Sequence, residues 1–394
     1  MKLAAAFLAI FCCCSAAQEP EPSAPAQFSL DGDIDAAWLA GIRHMYSLDF
    51  AKARAEFERL AASRPEHPAG DLALAGLLWW QYSQDYDIPK HQVKATAAEF
   101  EKYAGSAIEK SEKYLKTHPK DAGTYFIMGT AYGLLGRWCA VERRWWRAYR
   151  NGTKGRKYLK KALDRNPEIY DAYAGLGIFD YYSDTVPGVL KLPELLLIHG
   201  SKKRGLAELE QAVTKGRFFV TESKLFKIAI EVAFEHDCKT ALSLAQELRA
   251  SEPGNVFFRF TEFATRFNCN DWEGAMRQGR ELLADKAAAS ALDRQLALIY
   301  LAIGDAYMMS GSYTLAINAF TEGIATRYPE KGWVTYCYIR RGQSYELMGA
   351  RERALEDYKT AASREDFWST MDDAERGLSK PYSKAEIEAQ LQAH

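Results

Sequence analysis

Residues 301–329, LAIGDAYMMSGSYTLAINAFTEGIATRYP, and residues 339–362, IRRGQSYELMGARERALEDYKTAA, carry one spaced pattern twice. Gly304, Tyr307, Gly311, Ala316 and Phe320 are answered by Gly342, Tyr345, Gly349, Ala354 and Tyr358, each 38 positions later. The shared form is G-x-x-Y-x-x-x-G-x-x-x-x-A-x-x-x-F/Y. Small Gly and Ala let two helices approach closely, and Tyr and Phe fill the space beside neighbouring units. Gly311 and Gly349 stand where a tight turn needs non-helical backbone. Pro329 follows the second helix of its unit, where it stops it. Such a pair cannot bury its apolar face alone, so copies must stack.

Working outward, the template resolves the chain into about eight helix pairs. The first holds Gly41, Ala53, Phe57 and Pro65; the second Gly76, Ala107 and Pro119. The third has Gly129, Tyr132 and Gly136, then Gly155, Leu159, Ala162 and Pro167. Gly177, Gly205, Leu209 and Ala212 mark the fourth, Ala229, Ala241, Leu248 and Pro253 the fifth, and Phe263, Ala275 and Leu282 the sixth. The small residue that opens each second helix recurs at spacings of 54, 48, 50, 36, 34, 41 and 38. The early units therefore carry insertions of about half a repeat, given a period near 34.

These residues resemble the tetratricopeptide-repeat superfamily over residues 35–380. The resemblance implies an all-α, right-handed α-solenoid of about eight antiparallel helix pairs, enlarged in its N-terminal half. It also implies a concave face that binds a peptide or protein segment. The motif residues carry over as packing positions, not as binding residues.

At 394 residues, 48% hydrophobic and 26% charged, the chain has ample core material, and its formal charge of −1 gives no global attraction to polyanions. Lys2, the apolar run LAAAFLAIFCCC and Ser15-Ala16-Ala17 read as an export signal over residues 1–17, too short to anchor in a bilayer. The alternative is lipidation at Cys12, Cys13 or Cys14. Either places the protein in the periplasm or envelope. Residues 18–34, Pro- and Glu-rich, read as a disordered tether. Residues 381–394 read as a capping helix after a Pro break, with Ser383 and Glu386 forming a capping box.

No HExxH, GxSxG, GxxxxGK[ST] or GxGxxG occurs, so no catalytic residue, cofactor or metal site is expected. His236-Asp237-Cys238 cannot face one point on a helix. Cys238 and Cys269 fall near the inter-helix turns of adjacent units, within reach of a disulfide in an oxidising compartment. The strongest local anomaly runs from Arg143 to Arg165, with ten Lys or Arg against one Asp. Arg143, Arg147, Arg150 and Lys154 recur at i, i+4, i+7 and i+11, beside Arg144, Trp145 and Trp146. That stripe suits an acidic partner, anionic headgroups or an acidic glycan; the alternative is a solvated helix face. The apolar segment 186–198 either packs inside or touches a membrane surface. The expectation is a non-enzymatic scaffold of the envelope that binds a protein or peptide and no nucleic acid. A membrane- or glycan-associated accessory protein, with peripheral membrane contact, is the first alternative. An enzyme with its site in the insertions is the second.

Overall fold

One turn geometry, used six times, sets the architecture. The computed structural model describes residues 28–84, 90–185, 200–328, 332–366 and 369–392. Among them Leu48, Arg143, His236, Asn270, Gly311 and Gly349 each sit between two helices with φ between 56° and 77°. A left-handed residue there lets the chain reverse while its amide and the next bond back into the preceding helix. Gly311 N–H bonds Met308 O and Ser312 N–H bonds Tyr307 O, as Leu48 and Asp49 bond Met45 and His44. Asp side chains then cap several second helices: Asp49, Asp237 and Asp271 accept from Lys52, Thr240 and Gly274 N–H at 3.2, 3.1 and 3.0 Å.

Eight helix pairs follow, as the sequence pattern predicts. They are α1 (Gly32–Tyr46) with α2 (Phe50–Ser63), α3 (Ala69–Gln84) with α4 (Lys90–Thr117), and α5 (Ala122–Val141) with α6 (Trp145–Leu163). Then come α7 (Ala172–Thr185) with α8 (Lys202–Lys215), α9 (Val220–Ile230) with α10 (Cys238–Ser251), and α11 (Val256–Asn268) with α12 (Trp272–Ala284). After the short α13 (Lys286–Ala291), α14 (Leu296–Met309) pairs with α15 (Tyr313–Ile324) and α16 (Gly332–Leu347) with α17 (Arg351–Ala362). Helices α18 (Thr370–Ser379) and α19 (Lys384–Gln392) end the described chain, which holds no strand. The pairs close where the pattern puts small against large. A methyl on Gly41 would stand 2.1 Å from the Phe57 ring, on Gly304 2.2 Å from Phe320, and on Gly342 2.7 Å from Tyr358.

Each second helix packs on its own first helix and on the next pair's first helix, while first helices of most neighbouring pairs also touch. First helices therefore form the inner row and second helices the outer. Extra length in the second and third units lies in longer helices: α4, α5 and α6 have 28, 20 and 19 residues, against 12 in α15 and in α17.

The inner hollow of the first half is filled by the connection from α8 to α9. The Asp171 carboxylate accepts N–H bonds from Arg217, Phe218 and Phe219 at 2.9, 2.7 and 2.7 Å, holding that segment extended into the hollow. Phe218 stacks on Trp38 at 5.4 Å, and Phe219 meets Phe126 edge-on at 5.8 Å. Arg217 Nη1 donates to Asp35 Oδ1 at 2.8 Å and to the Phe28 carbonyl at 3.2 Å. Further on, Asn255 Nδ2 donates to the Tyr46 carbonyl at 2.7 Å, and Phe258 packs on Tyr46 and Trp80. One core thus runs from Leu30 to Phe258, with Trp79 and Trp80 inside it, and a second from Val256 to Leu391.

One sequence expectation changes. Leu30 is buried and α1 begins at Gly32, so the tether expected over residues 18–34 has given way to packed chain by residue 28. Its earlier part, the signal over residues 1–17 and the apolar segment 186–198 lie outside the described residues. The helix expected over 381–394 forms as α19 with its capping box, Ser383 N–H donating to Glu386 Oε2 at 2.8 Å. It lies against α18, through the Arg376–Glu386 ion pair and Gln390 Nε2 donating to Asp373 Oδ1 at 3.0 Å.

Candidate functional site

The basic aromatic stretch occupies α6, in the outer row. Gly155, Leu159 and Ala162 turn inward onto α5, which leaves the cationic side facing out. Arg143 is not on that helix. It is the left-handed turn residue, φ 57°, so the stripe expected through Arg143, Arg147, Arg150 and Lys154 starts only at Arg147. Arg144 is the residue before the helix and is already neutralised. It bonds Glu101 Oε1 at 2.7 Å and pairs with Glu142, and these carboxylates hold its pKa above the usual guanidinium range.

Arg147, Arg150, Asn151 and Lys154 surround an open cavity of about 210 Å³. Arg147 and Arg150 make no ion pair among the described residues, and Lys154 lies 4.9 Å over the Tyr132 ring. Trp145 and Trp146 beside them are 64% and 44% exposed, and Trp146 leans on Tyr149 at 5.9 Å. Exposed Trp next to unpaired Arg is unusual outside a contact surface, because both side chains anchor interfaces.

The cationic face extends further than the sequence reading took it. Tyr158 stacks on Tyr132 at 5.7 Å and on Tyr125 at 6.4 Å. Lys161 covers Tyr158 at 5.5 Å and Arg165 covers Tyr125 at 4.0 Å. The signal was present: Lys154, Tyr158, Lys161 and Arg165 stand at i, i+4, i+7 and i+11. A second regularity was not legible. Val141, Trp145, Trp146, Phe234, Leu315 and Met348 are large, apolar and exposed, and each lies within four residues of a left-handed turn residue. Exposed apolar surface therefore gathers on the edge of the array that carries the turns within pairs.

On that same edge Cys238, the first residue of α10, is bridged to Cys269, which follows α11, with Cα atoms 5.7 Å apart. Cys139 and Cys337 are free and buried. No group of three His, Cys, Asp or Glu able to hold a metal exists among the described residues, and none of their helices is long and apolar enough to cross a membrane. Acidic groups converge at the fourth pair. Asp180 is held between Arg156, at 3.0 Å, and Arg204, while burial and Asp180 push the neighbouring Glu208 up to about 7. These are ties between α6, α7 and α8.

Turns of one geometry, small-on-aromatic contacts within pairs and an inner row of first helices together decide the fold. It is an all-α solenoid of stacked antiparallel helix pairs. Solved structures similar to it include the following. A tetratricopeptide repeat protein from Parabacteroides merdae is 14% identical, with 88% of this chain and 99% of that one covered and a TM-score of 0.31. Human IFIT1, solved as a dimer with m7Gppp-AAAA, is 13% identical over 84% and 70%, at 0.43. Yeast Tom70 is 10% identical over 92% and 90%, at 0.25. No protein-family model matches the sequence, and no curated protein does.

Proposed function

We propose that this tetratricopeptide-repeat chain is an exported, non-catalytic scaffold that docks an acidic protein segment on the outer face of α6. The observation that carries the reading is the conjunction at the start of that helix: two exposed Trp beside an open cavity lined by two unpaired Arg. The inner hollow of the first half is occupied by Phe218 and Phe219, which leaves the outer face to a partner there. An acidic segment with one or two apolar side chains matches both halves of the surface. Export is supported by the signal-like first seventeen residues and by the Cys238–Cys269 bridge, a linkage that persists in oxidising compartments.

The test is affinity capture from periplasm and membranes with the chain from Gln18 onward, compared with an Arg147→Glu, Arg150→Glu, Lys154→Glu variant and with Trp145→Ala. One dominant protein, weakened by salt and lost with the charge reversal, supports the reading. Equal capture by the reversed chain sinks it. Salt-sensitive pelleting with anionic vesicles, and no stable protein, moves the surface to the accessory reading, which the exposed Trp145 and Trp146 beside cations also suit. A capped-RNA control separates nucleic acid, the ligand held by IFIT1.

A further inference from the structure

The cationic face of α6 runs on past the cavity to the end of the helix. Arg147, Arg150, Lys154, Lys157, Lys161 and Arg165 stand at i, i+3, i+7, i+10, i+14 and i+18, the last just beyond Leu163. At about 100° and about 1.5 Å per residue, they fall within an arc of about 80° and span about 27 Å. None of the six pairs with a carboxylate among the described residues; the ion pairs of this stretch belong to Arg144 and Arg156 instead. Asp164 is the one acid between Arg147 and Arg165. Like charges at i+3 and i+4 work against a helix, so α6 carries a line of charge that its own folding does not favour.

The later cations of the line are held in place. Lys154 lies 4.9 Å over Tyr132, Lys157 5.8 Å over Tyr158, and Lys161 5.5 Å over Tyr158 and 5.6 Å over Tyr125. The Arg165 guanidinium lies 4.0 Å over Tyr125 and donates to the Lys161 carbonyl at 2.8 Å. Side chains ordered beforehand lose less freedom when a ligand arrives. Carboxylates stand on both flanks. On the α4 side, burial and then Glu112 hold the Tyr132 and Tyr158 hydroxyls above their usual range. On the α8 side, Glu208 faces Arg156 and Lys160. A bound anion is therefore confined to a single line between acids. One extended chain fits that line, whereas a helix, about 10–12 Å across with its side chains, would overhang both flanks.

We propose that the partner's segment lies extended along the whole of this line, from Trp146 to Arg165, a proposal that rests on the docking of an acidic segment at α6. At about 3.3 Å per residue, a span of about 27 Å takes about eight residues. The fitting partner carries one or two apolar side chains at the Trp end and then an unbroken acidic run. An acidic cluster of about four residues reaches only Arg147, Arg150 and Lys154, and leaves Lys157, Lys161 and Arg165 unused.

Fluorescence anisotropy with the full chain and two fluorescein-labelled probes tests this: tetraglutamate and decaglutamate, each led by two leucines. The long probe binds at least tenfold more tightly than the short one and loses affinity more steeply with salt. Lys161→Gln with Arg165→Gln weakens the long probe at least fivefold and leaves the short one unchanged. Arg147→Gln with Arg150→Gln weakens both, and Arg353→Gln with Lys359→Gln, on α17, changes neither. Equal affinity for the two probes overturns the proposal. So does a long probe that ignores Lys161→Gln with Arg165→Gln while Arg147→Gln with Arg150→Gln weakens it; docking at the start of α6 then still stands. Indifference to both variants removes that docking as well. A gain of helical circular dichroism in the bound long probe overturns the extended course, and binding of dextran sulfate without binding of either peptide overturns the proposal by making a glycan the occupant.

Discussion

Replacing Cys238 and Cys269 by Ser removes a cross-link that spans 31 residues and encloses the whole of α10 and α11. In the chain-entropy description a loop of that length restricts the open state by about 3.7 kcal/mol at 25 °C. That converts to a several-hundredfold change in the population of open forms, at about 1.4 kcal/mol per tenfold. The stabilisation belongs to the fifth and sixth units, because a solenoid's stability is carried mostly by neighbouring contacts. Hydrogen exchange read by mass spectrometry on oxidised, reduced and doubly substituted protein tests this. Amides of α10 and α11 should lose protection several hundredfold in the last two forms, and those of α16 and α17 should not change. Reduction is selective, since Cys139 and Cys337 are buried and unbridged. A loss below tenfold, or one spread evenly over the chain, refutes the argument.

Phe218→Ala should cost about 3–5 kcal/mol in urea unfolding and loosen α1 together with residues 217–258, because Phe218 stacks on Trp38 across the hollow; loosening confined to the substituted segment would contradict the closure. Arg143→Gly should raise the melting temperature, relieving about 1 kcal/mol of left-handed strain, and leave partner capture intact because Arg143 lies off the stripe; a drop in either sinks that assignment. Burial pushes the Asp305 carboxyl up to about 7, against the partial relief from Arg340. Since the folded value is raised, this group's contribution is full below pH 3.8, declines as pH rises to 7, and is flat above, a span on the order of 4 kcal/mol. Asp305→Asn should remove that decline when urea midpoints at pH 4.5 and 7.5 are compared; an unchanged slope assigns it elsewhere.

The helix pairs were legible because close approach leaves few choices at each contact. Gly304 lies against Phe320 and Gly342 against Tyr358, and no larger residue fits. The turns were half legible. Gly311 and Gly349 announce a left-handed residue, but Leu48, Arg143, His236 and Asn270 hold the same conformation without glycine. That is why Arg143 read as the start of a helical stripe: spacing records where a residue would fall on a helix, not where the helix begins. Arg217 and Asp35, 182 positions apart, meet because Asp171 holds the connection between α8 and α9 against α1. No local pattern encodes that meeting. The face on which α19 settles escaped for a related reason, since a capping box fixes only where a helix starts.

The closure between the first pair and residues 217–258 has a consequence for how the molecule can be made and altered. In an open array each unit is finished once the next has formed. Here Trp38, Tyr46 and Trp80 receive their covering from Phe218 and Phe258, which leave the ribosome far behind them. Until then that aromatic surface stays uncovered. The same dependence fixes the copy number: gaining or losing one pair between α2 and α8 would carry Phe218 past Trp38, so this half cannot grow by duplication as open arrays do.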